Sequence, residues 1–272
     1  MVLFVDETAE LLSRLTTEEL ERLWMRCRAD NMNDFHVRML LGCSGTMISD
    51  RHVLTAAHCF IQKDCEQRTV TQIFSSKKWK VYYGGGCLPF SKDVCSDFQQ
   101  MARSVNIKNI AIPADYLTGP CLHNDIAIVT VKLRMVNFST RMKKTTALST
   151  INVTRIDCIL EHQIPDGIDD QLCTSELQET NMCSGDSGAG LMFKTESGTW
   201  NIAGVASAGT DCRIINMAIN SKDATDEPIV DITLDGSVFI DVRAHSQFIC
   251  QYAGICFDEK SENQPKIKAI LL

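Results

Sequence analysis

Residues 185–188 read Gly-Asp-Ser-Gly, and residues 55–59 read Thr-Ala-Ala-His-Cys. Each motif places a reactive side chain, Ser187 or His58, among small neighbours. A Gly-Asp-Ser-Gly string is expected by chance in only about half a percent of chains of this length. Between the two motifs, residues 124–128 read Asn-Asp-Ile-Ala-Ile, which places an acid at the head of an apolar strand. These segments decide the fold that we predict.

The three motifs bring a histidine, an aspartate and a serine into the chain order His58, Asp125, Ser187. In nucleophilic acyl transfer, a base activates a hydroxyl group and an acid orients the base. The order and the local sequences resemble those of the chymotrypsin-like serine proteases over roughly residues 40 to 250. Residues 242–245 and a predicted helix that ends at Cys27 also resemble nematode trypsin-like proteins.

The resemblance implies a role for each of these side chains. His58 would accept the proton of Ser187 during attack on a carbonyl and would later donate it to the leaving amine. Asp125 would orient the imidazole and stabilise its protonated form. The backbone N–H groups of Gly185 and Ser187 would form the oxyanion hole, which stabilises negative charge on the carbonyl oxygen.

The resemblance also implies a substrate-binding region made of four residues: Asn181, Ser207, Ala208 and Gly209. Ser207 would in addition support the buried aspartate. Asn181 corresponds to the base of the specificity pocket, where a neutral amide predicts a neutral or mixed preference. The stretch between Cys212 and Val238 is longer than is usual in the family, and its acids would restore some preference for basic side chains: Asp223, Asp226 and Glu227.

The resemblance implies a structural role for Asp186, because this residue corresponds to the acid that pairs with a freed N-terminal amine in the family. In the family, that amine follows a basic residue and begins an Ile-Val-Gly-Gly or similar segment. No such segment occurs between Arg28 and Cys43. A buried carboxylate without a partner is costly, and in the family its loss leaves the oxyanion hole disordered.

Two hypotheses about function therefore stay open. The first is a serine endopeptidase that acts through an acyl-enzyme intermediate on protein or peptide substrates and is controlled by protein inhibitors. The second is a catalytically inactive homologue that acts as a secreted binding protein.

Composition restricts the class of protein further. The chain has 272 residues, a net charge of -7 and 13 cysteines. The charge and the scattered basic residues argue against a nucleic-acid surface, and the cysteines predict an oxidising, extracellular environment. The apolar run from Met1 stops at Asp6, so no signal peptide is recognised. No apolar run reaches the ~20 residues of a membrane-spanning helix.

The cysteines divide into implied pairs and open ones. The resemblance implies three disulfides: Cys43–Cys59, Cys158–Cys173 and Cys183–Cys212. The connectivity of seven others stays open: Cys27, Cys65, Cys87, Cys95, Cys121, Cys250 and Cys256. Cys27 either tethers the predicted helix to the catalytic domain, with Cys121 as one candidate partner, or is a chance cysteine. No Cys-x-x-Cys pair occurs, so no metal site is predicted for the cysteines. Nothing in the sequence requires a cofactor.

The resemblance implies an all-β fold of two six-stranded antiparallel Greek-key barrels. From Cys43 onward, β-rich runs alternate with turns, with strands expected at Trp79–Tyr83, Ile126–Leu133 and Trp200–Ala206. We predict a helical extension over residues 1–34, with its helix at 6–28, and a peptidase domain over 35–252. The domain comprises barrels at about 35–140 and 141–240 and a helix at 241–252 that Asp241 caps. A C-terminal tail follows at 253–272, and its polar part after Cys256 is expected to be loose.

Overall fold

The computed structural model describes ten segments of the chain: residues 2–6, 42–65, 67–84, 103–132, 151–158, 170–176, 181–183, 185–210, 236–257 and 265–272. Antiparallel strands dominate these segments, and the helices among them are few and short. The predicted all-β fold with a C-terminal helix is confirmed.

The first sheet closes into an antiparallel barrel of six strands. Its strands are β1 (Val2–Asp6), β2 (Cys43–Met47), β3 (His52–Thr55), β6 (Trp79–Tyr83), β7 (Arg103–Pro113) and β8 (Ala127–Val131). Neighbours follow the order β7-β6-β1-β2-β3-β8, and pairing of β7 with β8 closes the barrel. A separate hairpin of β4 (Ile61–Asp64) and β5 (Thr69–Ile73) follows β3 in the chain.

Alternation of side chains gives the first barrel its apolar interior. In β7, the buried residues Val105 and Ile107 alternate with exposed neighbours, because successive side chains of a strand point to opposite faces. Val53 and Val129 face each other on β3 and β8, and both are fully buried.

Strand β6 begins and ends where the sequence predicts, whereas β8 covers the middle of its predicted run.

The second sheet contains five described strands: β9 (Arg155–Ile156), β10 (Gln171–Thr174), β11 (Gly190–Lys194), β12 (Trp200–Ala208) and β13 (Ser237–Asp241). Their spatial order is β11-β12-β13-β10-β9. Val205 and Ile240 from this sheet belong to the same core cluster as the interior of the first barrel. The two sheets therefore pack against each other through a shared apolar layer.

The C-terminal helix begins as predicted, after Asp241. The carboxylate of Asp241 accepts a hydrogen bond from the N–H of Arg243, and a 3-10 helix (Val242–His245) leads into the α-helix Ser246–Ala253. Phe248 and Ile249 are buried on the inner side of this helix, as their apolar character predicts.

Both chain ends contribute strands to the first sheet. Val2–Asp6 forms β1 between β2 and β6. Apart from Asp6, the helix predicted for residues 6–28 lies outside the described residues. The expectation of a loose C-terminal tail is wrong for its last residues, because Ala269–Leu271 forms strand β14, which pairs with β7. A pattern that extends over only three residues is too short to indicate a strand from the sequence alone.

Four disulfides lie wholly within the described residues. Cys43 pairs with Cys59 and Cys158 with Cys173, the two pairs that the resemblance implies. The other two pairs were left open by the sequence: Cys65–Cys121 and Cys250–Cys256. Since Cys121 is taken by Cys65, it cannot be the partner of Cys27.

The remaining cysteines are less fully described. Cys183 is disulfide-bonded, but its implied partner Cys212 lies outside the described residues. Cys27, Cys87 and Cys95 lie outside them too.

The two disulfides left open by the sequence should differ in their contribution to stability. Cys65–Cys121 closes a loop with a sequence separation of 56, against 6 for Cys250–Cys256. Loop-closure entropy predicts that replacing the first pair by serines lowers the free energy of unfolding by about 4 kcal/mol, and the second pair by about 2 kcal/mol. Urea unfolding of the two double variants measures both losses. An equal or larger loss for the short loop would contradict this ranking.

Candidate active site

His58 lies in a short 3-10 helix (Ala57–Cys59) that follows strand β3. Ala57 and Cys59 are buried on either side of it, and the Cys43–Cys59 disulfide joins this helix to β2. The His58 side chain keeps 33% of its surface exposed. The local sequence of small residues and a cysteine thus anchors the backbone while the imidazole stays accessible.

Asp125 is 1% exposed and accepts hydrogen bonds from both sheets. Its Oδ1 accepts from the backbone N–H of His58 at 2.8 Å, and its Oδ2 lies 2.6 Å from Nδ1 of the same residue. The hydroxyl of Ser207, on strand β12 of the second sheet, donates to Oδ2 at 2.5 Å. A buried carboxylate is tolerated only with such partners, so Asp125 holds the imidazole in one orientation.

The charge of Asp125 sets the protonation of His58. Burial lowers the pKa of the His58 imidazole, but the negative charge and hydrogen bond of Asp125 raise it by more, so the pKa lies above its usual value. Burial raises the pKa of the Asp125 carboxyl group, but the charge and hydrogen bonds of His58 and the bond from Ser207 together hold it below its usual value. The pair therefore favours an ionised aspartate beside a basic imidazole.

Ser187 lies in a tight turn that is fastened to both sheets. Its carbonyl accepts the N–H of Ser44, and the N–H of Gly188 donates to the carbonyl of Ala206, each at 2.8 Å. Gly188 has φ +86°, and a Cβ there would collide with the hydroxyl of Thr55 and the carbonyl of Ser44. Only glycine permits this close approach, which explains the glycine after the serine.

His58 and Ser187 line one cavity of about 340 Å³, together with Asp125, Gly185 and Ser207. Among the described residues, no hydrogen bond joins the Ser187 hydroxyl to the His58 ring. Such bonds are often long in unliganded sites and shorten when a substrate binds. The structure therefore brings the three predicted catalytic residues to one cavity and fixes two of them against each other.

Two backbone amides beside this cavity remain available to a ligand. Gly185 has φ +101°, and its carbonyl accepts the hydroxyl of Ser44 at 2.9 Å. The N–H groups of Asp186 and Ala189 donate to carbonyls within the turn. Within the described segments, the N–H groups of Gly185 and Ser187 have no acceptor.

Asp186 forms a hydrogen bond to a residue close to it in the chain. Its Oδ2 accepts the N–H of Cys183 at 2.9 Å, three residues earlier in the chain. The carboxylate is half-buried, and none of the ion pairs found in the described part of the chain involves it.

Three of the four implied substrate-binding residues lie on the second sheet or directly after it. Ser207 and Ala208 end strand β12, and Gly209 follows it. Asn181 is half-buried and lies outside the group that lines the cavity around Ser187. The acids between Cys212 and Val238 that the sequence analysis singled out lie outside the described residues: Asp223, Asp226 and Glu227.

A second buried aspartate, which the sequence analysis missed, supports the loop before Asp125. Asp170 accepts the N–H of Asn124 at 2.9 Å, and the ring nitrogens of His245 and His123 lie 3.0 Å and 3.3 Å from its oxygens. Burial raises the pKa of Asp170, but the hydrogen bonds from His245 and Asn124 and the charges of both histidines outweigh it and lower the pKa. No local motif marks Asp170, because its partners lie 46 to 75 residues away.

The described residues give little support to a metal centre. One group of potential ligands brings Cys43, His58 and Cys59 close together. Its two cysteines form a disulfide with each other, so their sulfur atoms are not available as thiolate ligands.

No helix in the described segments is long and apolar enough to cross a membrane.

Comparison with known proteins agrees with this architecture. The sequence pattern of the family described as Trypsin matches residues 28–160, a range that contains His58 and Asp125. Trypsin-like protease try-5 of Caenorhabditis elegans is 27% identical over 266 residues, which cover 77% of this chain and 77% of that protein.

Two further relatives are longer proteins, and the match to this chain covers only part of each. CLIP domain-containing serine protease B4 of Anopheles gambiae is 29% identical over 210 residues, covering 61% of this chain and 54% of that protein. Human Transmembrane protease serine 11B is 25% identical over 204 residues, covering 62% of this chain and 44% of that protein. The chain thus spans about half the length of these two relatives.

The electrostatic coupling between Asp125 and His58 can be measured directly. We expect Asp125→Asn to lower the pKa of His58 below about 6.5, the usual value for histidine, because burial then acts without the opposing charge. NMR titration of the His58 ring protons measures the shift. Ser207→Ala is the matched control, since it removes a hydrogen bond but keeps the charge, and its His58 should titrate above the usual value. An unchanged His58 titration in Asp125→Asn would rule out this coupling.

Proposed function

We propose that this chain is a chymotrypsin/trypsin-like serine protease, as its family match and its relatives support, and that it is a serine endopeptidase that cleaves peptide bonds in protein substrates. The observation that carries the proposal is the hydrogen-bonded pair of His58 and Asp125 in the cavity that also contains Ser187. A reactive hydroxyl, a base and an orienting acid at one cavity are the requirements for acyl transfer.

In the proposed mechanism, Ser187 attacks the carbonyl carbon of the scissile peptide bond while Nε2 of His58 accepts the hydroxyl proton. The hydrogen bond between Asp125 and Nδ1 supports this step, because it holds the ring with Nε2 unprotonated. The imidazolium then donates its proton to the leaving amine, and an acyl-enzyme remains on Ser187. Water, activated by His58, attacks the acyl group and releases the second product.

The oxyanion that forms during each attack needs fixed donors. We assign this role to the N–H groups of Gly185 and Ser187. The bond between the Ser44 hydroxyl and the Gly185 carbonyl supports the assignment, because it fixes the Gly185–Asp186 peptide unit, which lies between the two proposed donor groups. The hydrogen bond between the Ser44 N–H and the Ser187 carbonyl acts in the same way on the nucleophile.

Secretion belongs to the same proposal. The four disulfides are consistent with an extracellular protein, because the glutathione pool of the cytosol reduces such bonds. Protein inhibitors that occupy the same cavity are the expected partners besides substrates.

One observation favours a second candidate function, an inactive homologue that binds proteins without cleaving them. The carboxylate of Asp186 accepts the N–H of Cys183. In the family that the chain resembles, the corresponding acid pairs with a freed N-terminal amine. An Asp186 that stays in its local bond would leave the proposed oxyanion hole without that support.

A fluorophosphonate probe tests the first proposal against the second. We expect covalent labelling of the oxidised, processed protein at Ser187, because such probes react only with an activated serine. Ser187→Ala should abolish labelling, whereas Ser197→Ala, on an exposed turn, should retain it. Absence of Ser187-dependent labelling would refute the endopeptidase proposal and favour the binding protein.

The pH dependence of cleavage follows from the raised pKa of His58. Only the neutral imidazole accepts the serine proton, so kcat/KM should be lost as the pH falls through that pKa. We expect the midpoint of the loss above about pH 6.5, with a tenfold decrease for each further pH unit. Initial rates on a peptide without ionisable side chains measure the profile. Full activity at about pH 5 would contradict the assignment of His58 as the base.

A further inference from the structure

Lys63 connects strand β4 to the segment that leads to Asp125. Its ammonium group donates to three backbone carbonyls of that segment: Tyr116 at 2.7 Å, Gly119 at 2.7 Å and Pro120 at 3.3 Å. An ammonium group has three N–H donors, so these bonds use all of them. Lys63 and Tyr116 also line the cavity that contains Ser187. We call residues 116–124 the wall segment.

The wall segment has an unfavourable backbone and therefore needs support. Leu122 has φ +63° and Asn124 has φ +54°. Both values lie in the left-handed region, which costs free energy for a residue with a side chain. Asp125 follows directly, so a change in the wall segment displaces the carboxylate that orients His58. Leu122 itself lines the cavity, and its position depends on the same backbone.

Strand β4 and the residue after it hold the wall segment by further contacts. The hydroxyl of Tyr116 donates to the carbonyl of Ile61 at 2.9 Å, and Cys65 forms a disulfide with Cys121. Two of the three carbonyls that Lys63 binds lie between these two attachment points. The ammonium nitrogen also lies 5.0 Å from the centroid of the Tyr116 ring, a distance at which a cation is attracted to the ring face. Lys63 thus adds a charged contact to the connection.

The surroundings of Lys63 suit a cation. Burial lowers the pKa of its ammonium group, the negative charge of Asp125 opposes this effect, and the positive charge of Arg68 adds to it, so the pKa lies below its usual value. The half-buried ammonium group has lost part of its water shell, and the carbonyl oxygens of the wall segment replace that water. The three carbonyls therefore form a site that fits an ammonium ion.

We propose that Lys63 is a positioning residue of this active site, whose ammonium group acts as a bound cation and sets the conformation of the segment that ends at Asp125. This inference rests on the proposed endopeptidase function. Lys63 takes no part in proton transfer, because its three donors are bound to carbonyls. Its effect on the reaction passes through Asp125 and through the cavity-lining side chains of Tyr116 and Leu122.

Chemical rescue tests this inference, because the removed part of the side chain can be supplied as a soluble ion. Lys63→Ala should lower kcat/KM for peptide cleavage about 10- to 100-fold, since hydrogen bonds to a charged group are lost. Propylammonium ion contains the atoms that this substitution removes. It should restore most of the lost rate, with a saturable dependence on its concentration.

The controls separate the N–H donors from charge and from occupied space. Tetramethylammonium ion carries the same charge without N–H donors and should not restore the rate. Lys63→Met fills the space of the side chain, so it should lose as much activity as Lys63→Ala and gain nothing from propylammonium. Lys108→Ala, at an exposed position of β7, should match wild-type protein with and without propylammonium. Wild-type rates in the same solutions correct for any inhibition by the ions.

Hydrogen exchange tests the inference without catalysis. The N–H of Gly119 donates to the carbonyl of Asp115, and the N–H of Asn124 donates to Asp170, so both amides report on the wall segment. Their exchange should be about tenfold faster in Lys63→Ala. Propylammonium should slow it again, whereas tetramethylammonium should not. If Lys63→Ala does not fold alone, the ions are added during refolding, and only propylammonium should raise the yield of folded protein.

The outcomes distinguish this inference from the proposed function. Ser187-dependent labelling of wild-type protein, together with full activity of Lys63→Ala or with a loss that propylammonium does not restore, would overturn the role of Lys63 and leave the endopeptidase intact. Absence of labelling in wild-type protein would refute the endopeptidase, and hydrogen exchange or the refolding yield would then decide alone. Exchange that Lys63→Ala leaves unchanged, or exchange or a yield that does not respond to propylammonium, would overturn the inference in that case.

Discussion

The rest of this structure depends on the burial of the Asp125 carboxylate between the two sheets. A charge in an apolar interior needs hydrogen-bond donors, and Asp125 takes them from His58 on one side and from Ser207 on the other. Because His58 follows β3 and Ser207 lies on β12, these bonds fix how the two sheets pack. The same bonds orient the imidazole in the cavity, so the contact that holds the sheets together also prepares the proposed base.

A second carboxylate strengthens this junction. Asp170, which precedes β10, accepts the N–H of Asn124, the residue before Asp125. Asn124 has φ +54°, a conformation that costs free energy for a residue with a side chain. The bond from Asp170, itself supported by His245, offsets that cost. The loop that carries the central aspartate is thus held by the second sheet as well as by its own strand.

The carboxylates of this molecule show how environment decides role. Asp125 and Asp170 have donors on both oxygens, so their charges are satisfied and they hold structure. In the part of the chain that the structure describes, Asp186 has a local donor only. Among the same residues, Glu176 has two donors on one oxygen and none on the buried other. Residue type alone does not distinguish these states, because each depends on donors from distant segments.

Sequence alone determined the motifs around His58, Asp125 and Ser187, the all-β class, the limits of strand β6 and the helix that Asp241 caps. These features follow from local patterns of small, apolar and capping residues. Tertiary structure alone decided that Val2–Asp6 and Ala269–Leu271 form strands, that Cys65 pairs with Cys121, and that Glu176 lies against Gly209. In each of these cases the partners are far apart in the chain, and neither periodicity nor spacing carries information about which distant backbone or donor a residue meets on folding.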